Sequence, residues 1–141
     1  MMKKILTAFL LCFLIGCSHP RYTLYIYYAK TCPICQSLID NVIPELEKEY
    51  GNQMEIVYFD IDEESSIDAY ARTCSLLKDY RINDQSGDVP FIVLDGYFAK
   101  IGYQIDQKDT MIQVIKDHIN GKNISVQLDN YYVFQDGKSF R

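Results

Sequence analysis

Two thiols separated by two residues stand in the stretch Thr31-Cys32-Pro33-Ile34-Cys35. Cysteines at i and i+3 suit three chemistries: thiol–disulfide exchange, half of a metal site, or a short structural disulfide. Exchange needs one thiol that ionises easily and a second close enough to resolve a mixed disulfide. At the start of a helix, the first cysteine meets unpaired backbone N–H groups and the positive end of the helix dipole, which stabilise its thiolate. The second lies about one turn on. Zinc needs four ligands, and beyond this pair only Cys74, His19 and His118 remain, far apart in sequence. No metal site is therefore expected. A disulfide closing so short a loop gains little entropy, so structural staples usually join distant segments. Cys32 is the candidate nucleophile and Cys35 the candidate resolving thiol.

These roles require a strand before the pair and a helix after it. Residues 22–28, YTLYIYY, are aromatic and β-branched without charge, which predicts a strand buried on both faces. Cys35, Leu38, Ile39, Val42, Ile43, Leu46 and Tyr50 recur at helical spacing, and Pro33 suits the first turn. Pro44 should kink this helix, and Gly51-Asn52 should end it. Residues 54–61 predict a second strand, 67–80 a second helix and 83–88 a loop. Val89-Pro90 leads into a strand over 91–94, and Asp95-Gly96 signals a two-residue hairpin to a partner over 97–101. A last helix is expected over 110–119. Ile124, Val126 and Leu128 alternate with polar residues and suggest a further edge strand in the tail. The order predicts an α/β fold, a central mixed β-sheet flanked by helices.

The chain has 141 residues and a formal net charge of −5. Lys3 and Lys4 precede an apolar run over 5–15 broken only by Thr7, too short to span a bilayer. The run closes in Leu14-Ile15-Gly16-Cys17, which resembles the bacterial lipobox. That resemblance implies a signal peptide over 1–16, a diacylated Cys17 as lipid anchor, and an extracytoplasmic protein held at a bacterial membrane, periplasmic or at the cell surface. Residues 17–21 would be a tether. Without the two leader lysines the remaining charge is 12 basic against 19 acidic residues, or −7. Such an acidic chain excludes a nucleic-acid surface, and no polybasic patch is left to bind lipid headgroups. Outside the cytoplasm no reducing buffer keeps a thiol pair reduced.

A strand–CxxC–helix, a second strand, then Val89-Pro90 opening a hairpin and a closing helix together resemble the thioredoxin superfamily. The resemblance covers residues 22–121 and leaves 122–141 as a C-terminal extension. It implies a thioredoxin-like fold and a thiol–disulfide oxidoreductase whose only redox group is the Cys32–Cys35 disulfide, with no cofactor. Its partners would be substrate proteins carrying thiols or disulfides, and a redox partner thiol protein. The resemblance further implies a cis proline at Pro90, and a substrate surface built from Val89, Pro90, Pro33 and Ile34.

The departures bear on direction. Pro33-Ile34 is nearer the glutaredoxin dipeptide than the thioredoxin one, yet no basic glutathione-binding residues are evident. Ile26 stands where thioredoxin has a buried acid, and Thr31 where it has an aromatic. No histidine lies between the cysteines, which leans the reading toward a reductase. A non-enzymatic thioredoxin-like binding module is the alternative.

Other residues have simpler expected roles. Lys30 adds a positive charge near Cys32. Asp60, Asp62, Glu63 and Glu64 should be a solvated strand end and helix start. Cys74 should be a buried, inert thiol. Tyr25, Tyr27 and Tyr28 should pack in the core with their hydroxyls at its edge.

Overall fold

The computed structural model describes residues 19–77 and 88–134. The leader, Cys17, the end of the second predicted helix and nearly all of the predicted 83–88 loop lie outside them. Among the described residues the helices and strands run in this order: β1 (Tyr22–Tyr28), α1 (Pro33–Asn41), α2 (Ile43–Tyr50), β2 (Met54–Asp60), α3 (Glu64–Leu77), β3 (Phe91–Leu94), β4 (Phe98–Ile101), α4 (Lys108–Ile119) and β5 (Tyr131–Val133). Short 3-10 turns precede β2 and α4.

The strands form one mixed sheet in the order β2-β1-β3-β4-β5. β1 pairs parallel with β2 and antiparallel with β3, and the remaining pairs are antiparallel. This arrangement, with helices on both faces, is the thioredoxin-like α/β fold.

Alternation along the strands divides the core. Leu24, Ile26, Ile92, Leu94 and Phe98 pack with residues of α1, α2 and α4, including Leu38, Leu46, Met111 and Ile115. Tyr27, Phe91, Val93, Ala99 and Ile101 pack with Ala69, Tyr70 and Leu77 of α3. Tyr27 behaves as a core aromatic. Its ring stacks 4.8 Å from Phe59 and 5.4 Å from Phe91, and its hydroxyl lies 2.6 Å from Thr73 Oγ1.

Several boundaries differ from the sequence reading for local reasons. The first helix is interrupted at Val42 and resumes at Ile43, with Pro44 in the first turn of α2, where a missing N–H is tolerated. Ile67 is 53% exposed and does not belong to the buried stripe of α3. The hairpin connection is three residues long. The Leu94 carbonyl accepts the Tyr97 N–H at 2.9 Å across Asp95-Gly96, Gly96 has φ +78°, and β4 begins at Phe98. The alternating stretch over 124–128 forms no strand; the edge strand lies further on, at Tyr131–Val133.

Beyond its pairing with β4, side-chain contacts from Lys100 and His118 hold that last strand. Lys100 is 3% exposed, and its ammonium donates to the carbonyls of Ile101 (3.3 Å), Gly102 (2.9 Å) and Asp129 (3.0 Å). Burial pulls its pKa below the usual lysine value, and Asp129 partly opposes this. His118 of α4 hydrogen-bonds Tyr131 and stacks on Phe98 at 4.9 Å. Burial pushes the Tyr131 hydroxyl up to about 12.

Lys100→Met removes a charged donor from three carbonyls and should lower stability by about 1–3 kcal/mol, as read by urea denaturation at neutral pH. Burial also lowers the His118 pKa, so below its unfolded value of 6.5 the unfolded chain takes up a proton that the native chain resists. Stability contributed by neutral His118 is therefore present above that pH and lost as pH falls through the depressed native value. Urea midpoints compared between pH above 6.5 and pH below the depressed native value should show this loss, and His118→Gln should flatten it.

Candidate active site

The register brings three chain segments to one end of the sheet. Tyr28 pairs with Asp60, and Tyr27 with Phe91, so the exits of β1 and β2 and the entry of β3 lie side by side. Phe91 also pairs with Ile101, which adds the exit of β4.

From β1 the chain makes a turn closed by the Cys32 N–H on the Ala29 carbonyl at 3.0 Å. Cys32 then caps α1. Its backbone is extended (φ −93°, ψ 105°), Pro33 follows in the first helical turn, and Cys32 Sγ accepts the Cys35 N–H at 3.1 Å. The Cys32 carbonyl accepts the Gln36 N–H at 3.1 Å and so starts the helical ladder. The thiol position thus takes the place usually held by a Ser or Asp oxygen at a helix N-terminus.

Cys32 and Cys35 are joined in a disulfide with a Cα–Cα distance of 5.2 Å. Their environments differ. Cys32 is half-buried, whereas Cys35 is 0% exposed. Pro33 is exposed and Ile34 half-buried beside them.

The second wall comes from the entry to β3. The Val89–Pro90 peptide is cis. Val89 is half-buried and Pro90 buried. The Pro90 carbonyl accepts the Gly102 N–H at 2.8 Å. Gly102 has φ +78°, a conformation that lets the chain turn away from β4 while its own carbonyl receives Lys100. Tyr70 of α3 donates its hydroxyl to the Asp88 carbonyl at 2.9 Å, which holds the approach to Val89. The four residues named for the substrate surface therefore lie at the same end of the sheet as the disulfide.

Charge around the pair is arranged differently from the sequence reading. Asp60 is not solvated; it is 5% exposed, because Lys30 compensates its charge at 2.6 Å. Lys30 also lies 3.8 Å from Glu63. The bond to Lys30 is the main reason Asp60 is held below the usual carboxylate range, and the bond to Asp60 is the main reason Lys30 is held above the usual lysine value. Sequence offered Lys30 as a thiolate-supporting cation, but its ammonium is engaged by Asp60. The pair was missed because its partners are 30 positions apart and meet only through the β1–β2 register.

Cys74 is half-buried on α3 and packs against the Tyr27–Phe91 cluster, across the sheet from α1. Among the described residues, no group of three or more His, Cys, Asp or Glu side chains converges, and no helix is long and apolar enough to cross a membrane.

No protein-family model and no curated protein matches the chain. Solved structures do. One titled as a malarial protein is 18% identical, with a TM-score of 0.42, covering 70% of this chain and 97% of the other. Thioredoxin-2, titled as a component of malaria parasite protein secretion machinery, is 19% identical, with a TM-score of 0.41 and coverage of 69% and 82%. A mutant thioredoxin from Halobacterium salinarum NRC-1 is 20% identical, with a TM-score of 0.43 and coverage of 70% and 75%. At this distance the fold assignment rests on strand order and register.

The unequal exposure of the two sulfurs has a direct readout. After mild reduction of the folded chain, iodoacetamide should label Cys32 first, and Cys35 only once the chain is unfolded. Peptide mass spectrometry reads the order, and equal labelling rates would contradict the burial of Cys35.

Proposed function

We propose that this chain is an extracytoplasmic thiol–disulfide oxidoreductase, anchored by a lipid on Cys17, that exchanges disulfides with protein thiols through Cys32 and Cys35. The observation that carries this reading is the Cys32–Cys35 disulfide at the N-terminus of α1, with Cys32 as the helix cap and Cys35 buried behind it.

In the reducing direction the steps balance as follows. The Cys32 thiolate attacks one sulfur of a substrate disulfide. That S–S bond breaks, and the leaving sulfur takes a proton from solvent. Cys35 loses its proton to solvent and attacks Cys32 Sγ. The mixed disulfide breaks, the second substrate sulfur leaves and is protonated, and the Cys32–Cys35 bond forms. Two electrons have passed to the substrate. A partner dithiol protein returns them and is itself oxidised to a disulfide.

Val89, Pro90, Pro33 and Ile34 act as the surface that receives the substrate segment around its cysteine. The direction is taken as reductive. No histidine stands between the cysteines, and Lys30, the cation near Cys32 in sequence, is neutralised by Asp60. Both features leave the thiolate less stabilised, which favours a reducing pair.

Insulin reduction by the full chain with dithiothreitol as electron source tests the reading. Wild type should precipitate the insulin B chain far faster than dithiothreitol alone. Cys32→Ser should fall to the uncatalysed rate, and Cys35→Ser should accumulate a mixed disulfide visible on a non-reducing gel. Equal, slow rates for wild type and Cys32→Ser would instead indicate a binding module without exchange activity.

A further inference from the structure

The exit of β2 carries a charge arrangement that the exchange steps do not use. Asp60 is the last residue of β2, and both of its oxygens are engaged: Oδ2 with Lys30 Nζ at 2.6 Å and Oδ1 with the Asp62 N–H at 3.1 Å. Lys30 lies two residues before Cys32, in the turn closed by the Ala29 carbonyl. Its side chain is 67% exposed, so packing does not hold it; the acids do. A buried carboxylate deprived of its cation is strongly disfavoured, which makes the pairing persistent. The ion pair therefore connects the end of β2 to the turn that carries the nucleophile.

We propose that Asp60 is a positioning residue that sets the thiol–disulfide poise of the Cys32–Cys35 pair by holding the charge of Lys30. This rests on the exchange reading above. Two residues of chain separate the Cα atoms of Lys30 and Cys32 by at most about 7 Å, comparable to the screening length of about 8 Å at physiological salt. The exposed Lys30 side chain, once released from Asp60, is free to bring its charge within that length of the Cys32 sulfur. Reduction of the pair takes two electrons and two protons from a dithiol, which closes to its own disulfide, and one proton is released where Cys32 stays ionised. A free ammonium stabilises that thiolate and so favours the reduced form. Unopposed Asp60 and Glu63 carboxylates do the reverse.

The test uses the full chain in a Cys74→Ser background, as wild type, D60N, K30M and the double variant. Each is equilibrated with graded dithiothreitol buffers. The reduced fraction is read by alkylation and mass, and Cys32 ionisation by the pH profile of its alkylation rate. D60N should move the equilibrium toward the dithiol by about threefold to tenfold, tenfold being about 30 mV, and should lower the alkylation midpoint. K30M should move both readouts the other way, and adding D60N to K30M, which removes the unopposed Asp60 charge, should bring both readouts back toward wild type without reaching the D60N values. Thermal unfolding verifies that each variant is folded; if D60N is not, the opposite shift expected of K30M carries the test.

Three results would overturn the proposal: unmoved readouts in both single variants, shifts of the same sign in both as a loosened turn would give, or a double variant that lies as far toward the dithiol as D60N alone. A wild type that fails to exchange with the buffer sinks the exchange reading and this one together. Normal wild-type exchange with unmoved variants sinks this one alone.

Discussion

Everything at the site depends on β1 being an interior strand. β2 pairs along its whole length on one side and β3 along four residues on the other. The faces of the strand are occupied as well, Leu24 and Ile26 toward α1, α2 and α4, and Tyr27 toward α3. A strand satisfied in all four directions cannot slip by a residue without turning its apolar set inside out. Its last residue therefore has a fixed position, and one short turn later so has Cys32. The precision of the cysteine pair comes from the sheet, and α1 then supplies the N-terminal dipole and the Cys35 N–H.

What could be read from sequence was whatever a short stretch of residues decides by itself. The uncharged run over 22–28, the i, i+3 cysteines before a periodic helix, the break near Pro44 and the Asp95-Gly96 turn are all of this kind. So was the placement of Val89-Pro90 at the mouth of a strand. What escaped reading was decided through space. Nothing near Asp60 in sequence announces that a lysine 30 positions earlier will permit its burial. Nor does the four-residue β4 reveal that Lys100, the one charged residue among Phe98, Ala99 and Ile101, will be buried rather than solvated. The tail misled for a related reason. Ile124 and Leu128 alternate like a strand but serve as packing for the α4 face, while the pairing edge is set by Asp129 meeting Lys100 and by the Tyr97 carbonyl receiving Phe134.

Two buried or half-buried charges thus do different things in one sheet. Lys100 is satisfied by backbone carbonyls, so its ammonium acts as a structural fastener whose partners carry no net charge. Asp60 is satisfied chiefly by another charge, so its effect extends to whatever shares the field of Lys30. The first arrangement fixes geometry and the second fixes electrostatics, and both converge on the end of the sheet that carries Cys32 and Pro90.

The position of the fastener along the chain has a consequence for biogenesis. The cysteine pair lies about a hundred residues before Asp129 in the chain. Until that later segment docks, β4 is an unpaired edge, and the Lys100 ammonium lacks one of its three acceptors. Gly102, which also receives that ammonium and braces Pro90, is then held less firmly. A chain in which β5 has not docked therefore presents an open strand at the end of the sheet that carries the cysteine pair, the kind of edge that invites aggregation. Docking of the C-terminal segment closes that edge and supplies Lys100 with its third acceptor.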